Sequence, residues 1–373
     1  MDSQIDVRLA QASDLNVLLE LEKTCFESDR LSRRSFSSFI KPGAHELLVL
    51  VENADLIGYV LNLYRAGTSL GRMYSIAVAP RARGKGYGER LLRAAETAAQ
   101  ARHCVFMRLE VNVENKPAIQ LYEQSGYHGI GRIAGYYEDG SDAYRMEKRL
   151  RFEAGNRDIA RPFYEQTTDF TCGPASLMMA VKSMRPDYVL SRREELRIWR
   201  EATTIFMAAG HGGCSPYGLA LSAWHRGLDV VLYINQQEAP FLDGVRDEEK
   251  KSVIQEVHDD FIAEIETTGI QVKVQNLESA ELDRILQSGH PIIALISTWR
   301  LNRNKAPHWV YVTASDEEFV YINDPDINDD PHLTQTDYIH VPIAKTIFRE
   351  MARFGQKRLR CLVEIAGLRS KPE

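Results

Sequence analysis

The sequence has 373 residues, of which 44% are hydrophobic and 26% are charged, and its formal net charge is −6. This length predicts two domains, each able to bury its own core. The five cysteines include no C-x-x-C pair, which excludes a disulfide scaffold and a zinc knuckle. A polar N-terminus, short apolar runs and the lack of a basic excess predict a cytoplasmic protein that binds neither nucleic acid nor membrane.

The first 150 residues alternate between strand and helix patterns. Strands are predicted over 5–9, 46–52, 56–64, 72–78, 105–111, 127–133 and 143–149. Helices are predicted, because apolar residues recur at helical spacing, over 15–26, 88–102 and 116–124. This order indicates a mixed α/β sheet with helices on both faces.

The second half has a different pattern, which follows a charged stretch predicted to be a linker over 153–160. Helices are predicted over 172–184, 192–202, 216–226 and 248–268. Strands are predicted over 271–275, 291–296, 309–313, 319–322 and 359–365. Helices that precede strands indicate an α+β domain, so we expect one domain over 1–152 and a second over 161–373.

A glycine-rich segment, RARGKGYG over 81–88, follows one predicted strand and opens a predicted helix. Inward-facing backbone N–H groups and the positive end of the helix would bind a phosphate or pyrophosphate there. A glycine-rich surface turn is the alternative. Neither a P-loop nor a dinucleotide fingerprint fits, because Gly-Lys-Ser/Thr is absent and the strand does not begin a βαβ unit.

The residues around this segment resemble the GNAT N-acetyltransferases. Three motifs carry the resemblance: V-x-P-R-x-x-G-x-G over 78–86, L-E-V over 109–111 and N-x-x-A-x-x-L-Y over 115–122. The similarity is closest to the ribosomal-protein alanine acetyltransferase branch, in which a tyrosine pair such as Tyr136-Tyr137 precedes the final strand.

This resemblance implies a GNAT fold, acetyl-CoA as the acyl donor, no metal, and a peptide or protein amine, most simply an N-terminus, as the acceptor. It implies that Glu110 is a general base acting through a water and that Tyr122 is the general acid. From the residues alone, a solvated glutamate and a core tyrosine are equally open. The implied acetyl-CoA-binding residues are Ile76, Ala77, Val78, Arg81, Arg83, Gly84, Lys85, Gly86, Tyr87, Gly88, Asn115 and Tyr122.

Three arginines, Arg30, Arg33 and Arg34, lie in the segment that lines the acceptor pocket in this family. They indicate either an acidic substrate or simply a solvated helix end.

Cys172 is followed by a Gly-Pro pair and a helix-forming run, which places its thiol in the first turn of a helix. The helix dipole stabilises a thiolate there, although a free cysteine is also a common buried apolar residue. Three partners favour a nucleophile: Gln166 as an oxyanion donor, His308 as the base and Asp324 as the group that orients the histidine.

This set resembles the papain-like cysteine peptidases of the bacteriocin-processing type over about residues 160–330. The resemblance implies an α+β papain-like domain that hydrolyses peptides through Cys172. The distance in sequence to His308 exceeds what compact processing domains require, so we expect an insertion over about 190–269 and do not carry over a double-glycine preference. Two alternatives stay open: a non-catalytic peptide-binding module, and amide or acyl transfer in place of hydrolysis.

The remaining cysteines are interpreted as inert: Cys25, Cys104, Cys214 and Cys361. His211 and Cys214 are interpreted as part of a glycine-rich turn, because no second pair of metal ligands lies at a useful spacing. The two motif sets together predict a bifunctional enzyme, an acetyl-CoA-dependent N-acetyltransferase fused to a cysteine peptidase. Their presence in one chain is the sole basis for a further hypothesis, that the peptidase exposes an amino terminus which the transferase then acetylates.

Overall fold

Two sheets organise the chain, one in each of two compact units that span Met1–Glu153 and Ala154–Glu373. The computed structural model describes residues 5–150, 162–203, 206–207, 210–242, 245, 247–303, 306–327 and 333–369. The predicted linker, 153–160, lies outside these residues.

The sheet of the first unit has the strand order β1-β2-β3-β4-β5-β7-β6. Its strands are β1 (Ile5–Leu9), β2 (His45–Glu52), β3 (Asp55–Tyr64), β4 (Leu70–Val78), β5 (Phe106–Asn112), β6 (His128–Ile133) and β7 (Ala143–Arg149). Neighbouring strands are antiparallel except β4 and β5, which are parallel. A crossover between β4 and β5 is therefore required, and a helix supplies it.

The helices of this unit are α1 (Leu15–Cys25), α2 (Arg33–Phe39), α3 (Tyr87–Ala101) and α4 (Lys116–Gln124). The crossover helix α3 buries Leu91, Ala95 and Ala99, which repeat every four residues along one face. Helix α2 was not predicted, because it is short and only Phe36 and Phe39 are buried. The mixed sheet with flanking helices confirms the predicted α/β architecture.

The second unit contains a sheet with the order β11-β10-β16-β12-β13-β14-β15 and a small hairpin. Its strands are β8 (Phe206–Met207), β9 (Gly210–His211), β10 (Leu228–Ile234), β11 (Gln271–Val274), β12 (Ile292–Ser297), β13 (Pro307–Ser315), β14 (Phe319–Asn323), β15 (Val341–Ala344) and β16 (Cys361–Leu368). Only β10 and β11 pair in parallel among the strands described.

Helices cover both faces of this sheet. They are α5 (Cys172–Met184), α6 (Arg192–Ala202), α7 (Pro216–His225), α8 (Glu248–Glu266), α9 (Ser279–Leu286), α10 (Trp299–Asn302) and α11 (Lys345–Met351). Along β12, Ile293 and Leu295 belong to the core with α5 to α8, whereas Ile292, Ala294 and Ile296 belong to the core with α9 and α11. Because both faces are buried, β12 is a continuous apolar run in the sequence.

The segment 190–269 was expected to be an insertion, but it belongs to the core of the domain. Strand β10 lies inside the sheet, between β11 and β16, and α7 packs against it. We did not predict β10, although its apolar run over 230–234 is of the same kind as the run that identified β12.

Candidate active sites

Strands β4 and β5 form a wedge in the first unit. They pair only from Leu70 to Arg72 on β4, and beyond this point the two strands no longer pair. On its other side β4 stays paired with β3 through Val78. The free edge of β4 near Ile76 and Ala77 thus faces the wedge, and its backbone groups need partners. An extended ligand that contains amides fits this edge, because it can pair with β4 as a strand does.

A glycine loop lies beside the outer end of β4. Gly84 and Gly86 have φ of +78° and +77°, a left-handed conformation that favours glycine. No atom lies within 4 Å of the position that a Cβ would take at either residue. Gly86 precedes the first turn of α3 and offers no side-chain cap, so the helix N–H groups there are available to an anion.

The charged side chains of this loop make only long or exposed polar contacts with the rest of the domain. Arg83 donates from Nε to the Val78 carbonyl at 3.2 Å, and exposed Arg81 lies 3.6 Å from Asp55. Exposed pairs of this kind contribute little stability, so both cations can turn toward a phosphate. Lys85 lies over the Tyr87 ring at 5.9 Å.

Two residues of the predicted cofactor set have packing roles. Tyr87 is buried and donates its hydroxyl to Glu52 at 2.5 Å, a hydrogen bond that raises the pKa of Tyr87. A Cβ added at Gly88 would lie 3.2 Å from Leu121 on α4, so this glycine allows α3 and α4 to approach closely.

The predicted base, Glu110, lies on β5 in a buried ion pair. Arg72 approaches it at 2.9 Å from Nε and 2.8 Å from Nη2, and the two side chains are 2% and 4% exposed. Arg72 also donates to the Tyr136 hydroxyl at 2.9 Å. The pair lies at the start of the wedge, because Arg72 is the last residue of β4 that pairs with β5. The structure therefore brings together Glu110, Tyr136 and an arginine that the sequence did not single out.

Tyr122 lies on α4, and Asn115 lies directly before it. Burial raises the pKa of Tyr122, and its hydroxyl has no hydrogen bond within the described residues. Asn115 caps α4, since its side chain accepts from the Ala118 N–H at 3.2 Å. Its amide oxygen therefore has a structural partner, and only its NH₂ group is left for a ligand.

Two loops border the acceptor side of the wedge. The Asp29 and Glu138 side chains each accept from the other residue's backbone N–H at 3.2 Å, which links the α1–α2 loop to the β6–β7 loop. Arg30 donates to the Phe26 carbonyl and Arg33 to Asn16. The contacts of these two arginines match a solvated helix end better than an acidic-substrate site.

In the second unit, Cys172 is the first residue of α5 and is 8% exposed. The Trp309 N–H donates to its sulfur at 3.5 Å. A Cβ added to Gly173 would lie 3.1 to 3.2 Å from Leu219, Cys214 and Trp309, so only glycine permits this close packing. Gly173 therefore lets α5 approach β13.

His308 and Asp324 complete this site. Nε2 of His308 lies 2.8 Å from Asp324 Oδ1, and the Cys172 sulfur lies near enough to the ring to interact with it electrostatically. Both partners are held by adjacent antiparallel strands, since His308 is on β13 and Asp324 directly follows β14. Burial lowers the pKa of His308, but its interactions with the Asp324 carboxylate and with the nearby Cys172 sulfur outweigh this effect and raise that pKa well above its ordinary value. An imidazolium is stable here.

Gln166 lies at the Asp324 end of the site. Its backbone N–H donates to the Pro325 carbonyl at 3.0 Å, and its side-chain amide donates to Asp326 at 3.3 Å. The second hydrogen of this amide makes no hydrogen bond with the described residues, so it could donate to a ligand.

The other cysteines lack such partners. Burial raises the pKa of all four thiols, that of Cys104 to about 12. The side chain of His211 lies outside what the structure describes. Among the described residues, no cluster of His, Cys, Asp and Glu has the make-up of a metal site, and no helix is long and apolar enough to cross a membrane.

Sequence reasoning missed two buried charges next to these sites, Arg72 and Glu195. A charged residue inside an apolar strand was the only available signal for Arg72. Glu195 gave no signal, because it stands in a strongly charged helical stretch.

The two domains match different families of known proteins. Residues 15–127 match the Acetyltransferase (GNAT) family. An N-alpha-acetyltransferase of Sulfurisphaera tokodaii is 28% identical over 155 residues, which are 39% of this chain and 92% of that protein. N-alpha-acetyltransferase 30 of Schizosaccharomyces pombe is 27% identical over 121 residues, 32% of this chain and 81% of that protein.

This chain is also similar to the crystal structure of the ribosomal-protein-S18-alanine N-acetyltransferase from Escherichia coli, with 22% sequence identity and a TM-score of 0.37. The alignment covers 41% of this chain and 99% of that protein. Residues 161–366, more than half of the chain, match the Peptidase_C39 like family. The chain therefore belongs to the Peptidase_C39 like family, and it begins with a GNAT acetyltransferase domain that uses acetyl-CoA.

Proposed function

We propose that this chain is a bifunctional enzyme that hydrolyses a peptide bond at one site and acetylates an amino terminus at the other. The observation that carries the peptidase half is that the Cys172 sulfur accepts from the Trp309 N–H at 3.5 Å, directly beside His308, whose ring is held by Asp324 at 2.8 Å. The names of the N-alpha-acetyltransferase relatives support an amino terminus as the acceptor.

In the first domain, the residues fit acetyl-CoA as the donor. Bound acetyl-CoA supplies a thioester as the activated acyl group. The free edge of β4 at Ile76 and Ala77 would hold its amide-containing arm, and the open loop at Gly84 and Gly86 would hold its phosphates. Arg81 and Arg83 would add positive charge there.

Glu110 would act as the general base of acetyl transfer, taking a proton from the acceptor amine through a water. Arg72 keeps this carboxylate in place, and Tyr136 lies against the same guanidinium. Tyr122 would donate its phenolic proton to the leaving sulfur, which its lack of any hydrogen bond among the described residues favours.

In the second domain, Cys172 would attack the carbonyl carbon of the peptide while its proton passes to His308. Gln166 would donate to the oxyanion, and the C–N bond would break as His308 protonates the leaving amine. Water, deprotonated by His308, would then cleave the thioester and restore the thiol.

Labelling of the full chain with iodoacetamide at neutral pH, followed by peptide mass spectrometry, tests the nucleophile. We expect Cys172 to react faster than the other four cysteines, and His308→Ala to slow its reaction. An unreactive Cys172 would instead favour a peptide-binding module, and products joined to an added amine would favour acyl transfer.

A second experiment tests both activities together. Peptides from cells with and without the protein are compared by mass spectrometry for acetylated amino termini and for cleaved bonds. If the peptidase supplies the acceptor, Cys172→Ala removes both products. Acetylation that continues unchanged in Cys172→Ala would show that the two reactions are independent.

A further inference from the structure

A buried carboxylate on α6 lies beside the segment 164–171, which leads into Cys172. Glu195 is completely buried, and it accepts hydrogen bonds from the Tyr164 hydroxyl at 3.0 Å and the Thr167 N–H at 2.8 Å. It also accepts from the hydroxyls of Thr167 and Thr171, each at 2.6 Å. Burying a carboxylate is costly, and here hydrogen bonds from this one short segment offset that cost.

The positions of these donors tie them to the thiol site. Tyr164 and Thr167 lie on either side of Gln166, and Thr171 directly precedes Cys172. Glu195 therefore holds both the predicted oxyanion donor and the start of α5. Since α6 packs against α5, the carboxylate connects this segment to a rigid helix pair.

The same segment is attached to the histidine half of the site at other points. The Gln166 N–H donates to the carbonyl of Pro325, the residue after Asp324, and Asn323 donates from Nδ2 to the Pro162 carbonyl at 2.8 Å. One side of the segment is thus fixed to the end of β14 and the other to α6. Gln166 lies between these attachments, so a change at Glu195 changes where its amide points.

We propose that Glu195 is a positioning residue that aims Gln166 at the oxyanion formed during acylation of Cys172. This inference rests on the proposed peptidase function. Glu195 does not touch the reacting atoms; it acts through the segment it holds. A carboxylate has the acceptor capacity for all four donors, whereas a glutamine at this position must turn an NH₂ group toward some of them.

Two reagents distinguish a positioning role of Glu195 from a general effect of the substitution on folding. Acylation of Cys172 by p-nitrophenyl acetate forms an S–C bond, passes through an oxyanion and releases p-nitrophenolate, so it depends on Gln166. Alkylation by iodoacetamide displaces iodide without an oxyanion. In the full chain, we expect Glu195→Gln to slow acylation about 10-fold or more and alkylation less than about 2-fold.

Controls make the result specific. Glu364→Gln removes another buried carboxylate of the same domain, which accepts from Tyr233 at 2.9 Å, and should leave both rates unchanged. In Gln166→Ala, the added Glu195→Gln change should cause no further loss of acylation, because both act on one donor.

Three outcomes would contradict this inference while leaving the peptidase proposal intact: unchanged acylation in Glu195→Gln, an equal loss of acylation and alkylation, or additive losses in the double variant. A wild-type Cys172 that reacts with neither reagent would overturn the proposed peptidase function itself, and the inference with it.

Discussion

The two sites differ in how completely the protein assembles them. In the second domain, Asp324 holds the His308 ring at 2.8 Å, the Cys172 sulfur accepts from the next residue, Trp309, and Cys172, His308 and Asp324 are all buried. In the first domain, Glu110 and Tyr122 lie on separate elements beside a wedge between strands. The thiol site is preassembled, whereas the wedge site depends on a ligand long enough to fill the gap between β4 and β5.

The buried ion pairs of the two sites also differ, in whether their cationic partner can titrate near neutral pH. Arg72 cannot lose its proton near neutral pH, so its pair with Glu110 is a fixed arrangement of charge. The pair between His308 and Asp324 contains a titratable ring. Near neutral pH, the thiol site should therefore respond to pH more strongly than the Arg72–Glu110 pair does.

The largest expected effect is at Asp324. Asp324→Asn keeps a hydrogen-bond acceptor but removes the charge that stabilises the imidazolium, so we expect alkylation of Cys172 by iodoacetamide to fall about 1,000-fold. Acetyl transfer should not change. Equal losses at both sites would show that the variant is unfolded and would remove the contrast between them.

The same variant tests the pH response. Because the folded-state pKa of His308 is raised, its protonation stabilises the wild type below the unfolded pKa, about 6.5. This stabilisation is lost as pH rises through the folded-state pKa. Urea unfolding should therefore show a larger difference between wild type and Asp324→Asn at pH 6 than at pH 9, and a difference independent of pH would contradict the assignment.

At the wedge site, Glu110→Gln should lower the rate constant for acetylation of a peptide amino terminus about 100-fold. The amide cannot accept the proton and leaves Arg72 without its anionic partner. Alkylation of Cys172 in the same preparation serves as the control. An acetylation rate within about threefold of wild type would show that another group is the base.

Packing at the thiol site is tested by Gly173→Ala. The added Cβ would lie within 3.2 Å of Leu219, Cys214 and Trp309, so we expect a loss of about 1–3 kcal/mol in the free energy of unfolding of the second domain. Urea denaturation followed by fluorescence measures it. A neutral result would mean that α5 and β13 separate easily.

The smallest expected effect is at Gly86. Gly86→Ala meets no neighbouring atom, but its left-handed φ costs an L-residue about 1 kcal/mol of stability. We also expect the KM for acetyl-CoA to rise while the KM for the peptide stays the same. A change in the peptide KM instead would place the loop on the acceptor side of the wedge.

The sequence alone was sufficient for the parts that depend on local patterns. The strands of the first domain and its helices α1, α3 and α4 follow from periodicity, and the glycine loop follows from residue spacing between a strand and a helix. Cys172 at the start of a helix is also local information. The pairing of His308 with Asp324 was predictable because both stand at the ends of neighbouring antiparallel strands.

Long-range packing decided the rest. The role of 190–269 in the core depends on β10 entering the sheet beside β16, a pairing between distant segments that periodicity cannot reveal. Arg72 meets Glu110, and Glu195 meets the segment before Cys172, only after the chain folds. A buried charge is stable only where partners surround it, and which partners arrive is set by the tertiary structure rather than by neighbouring residues.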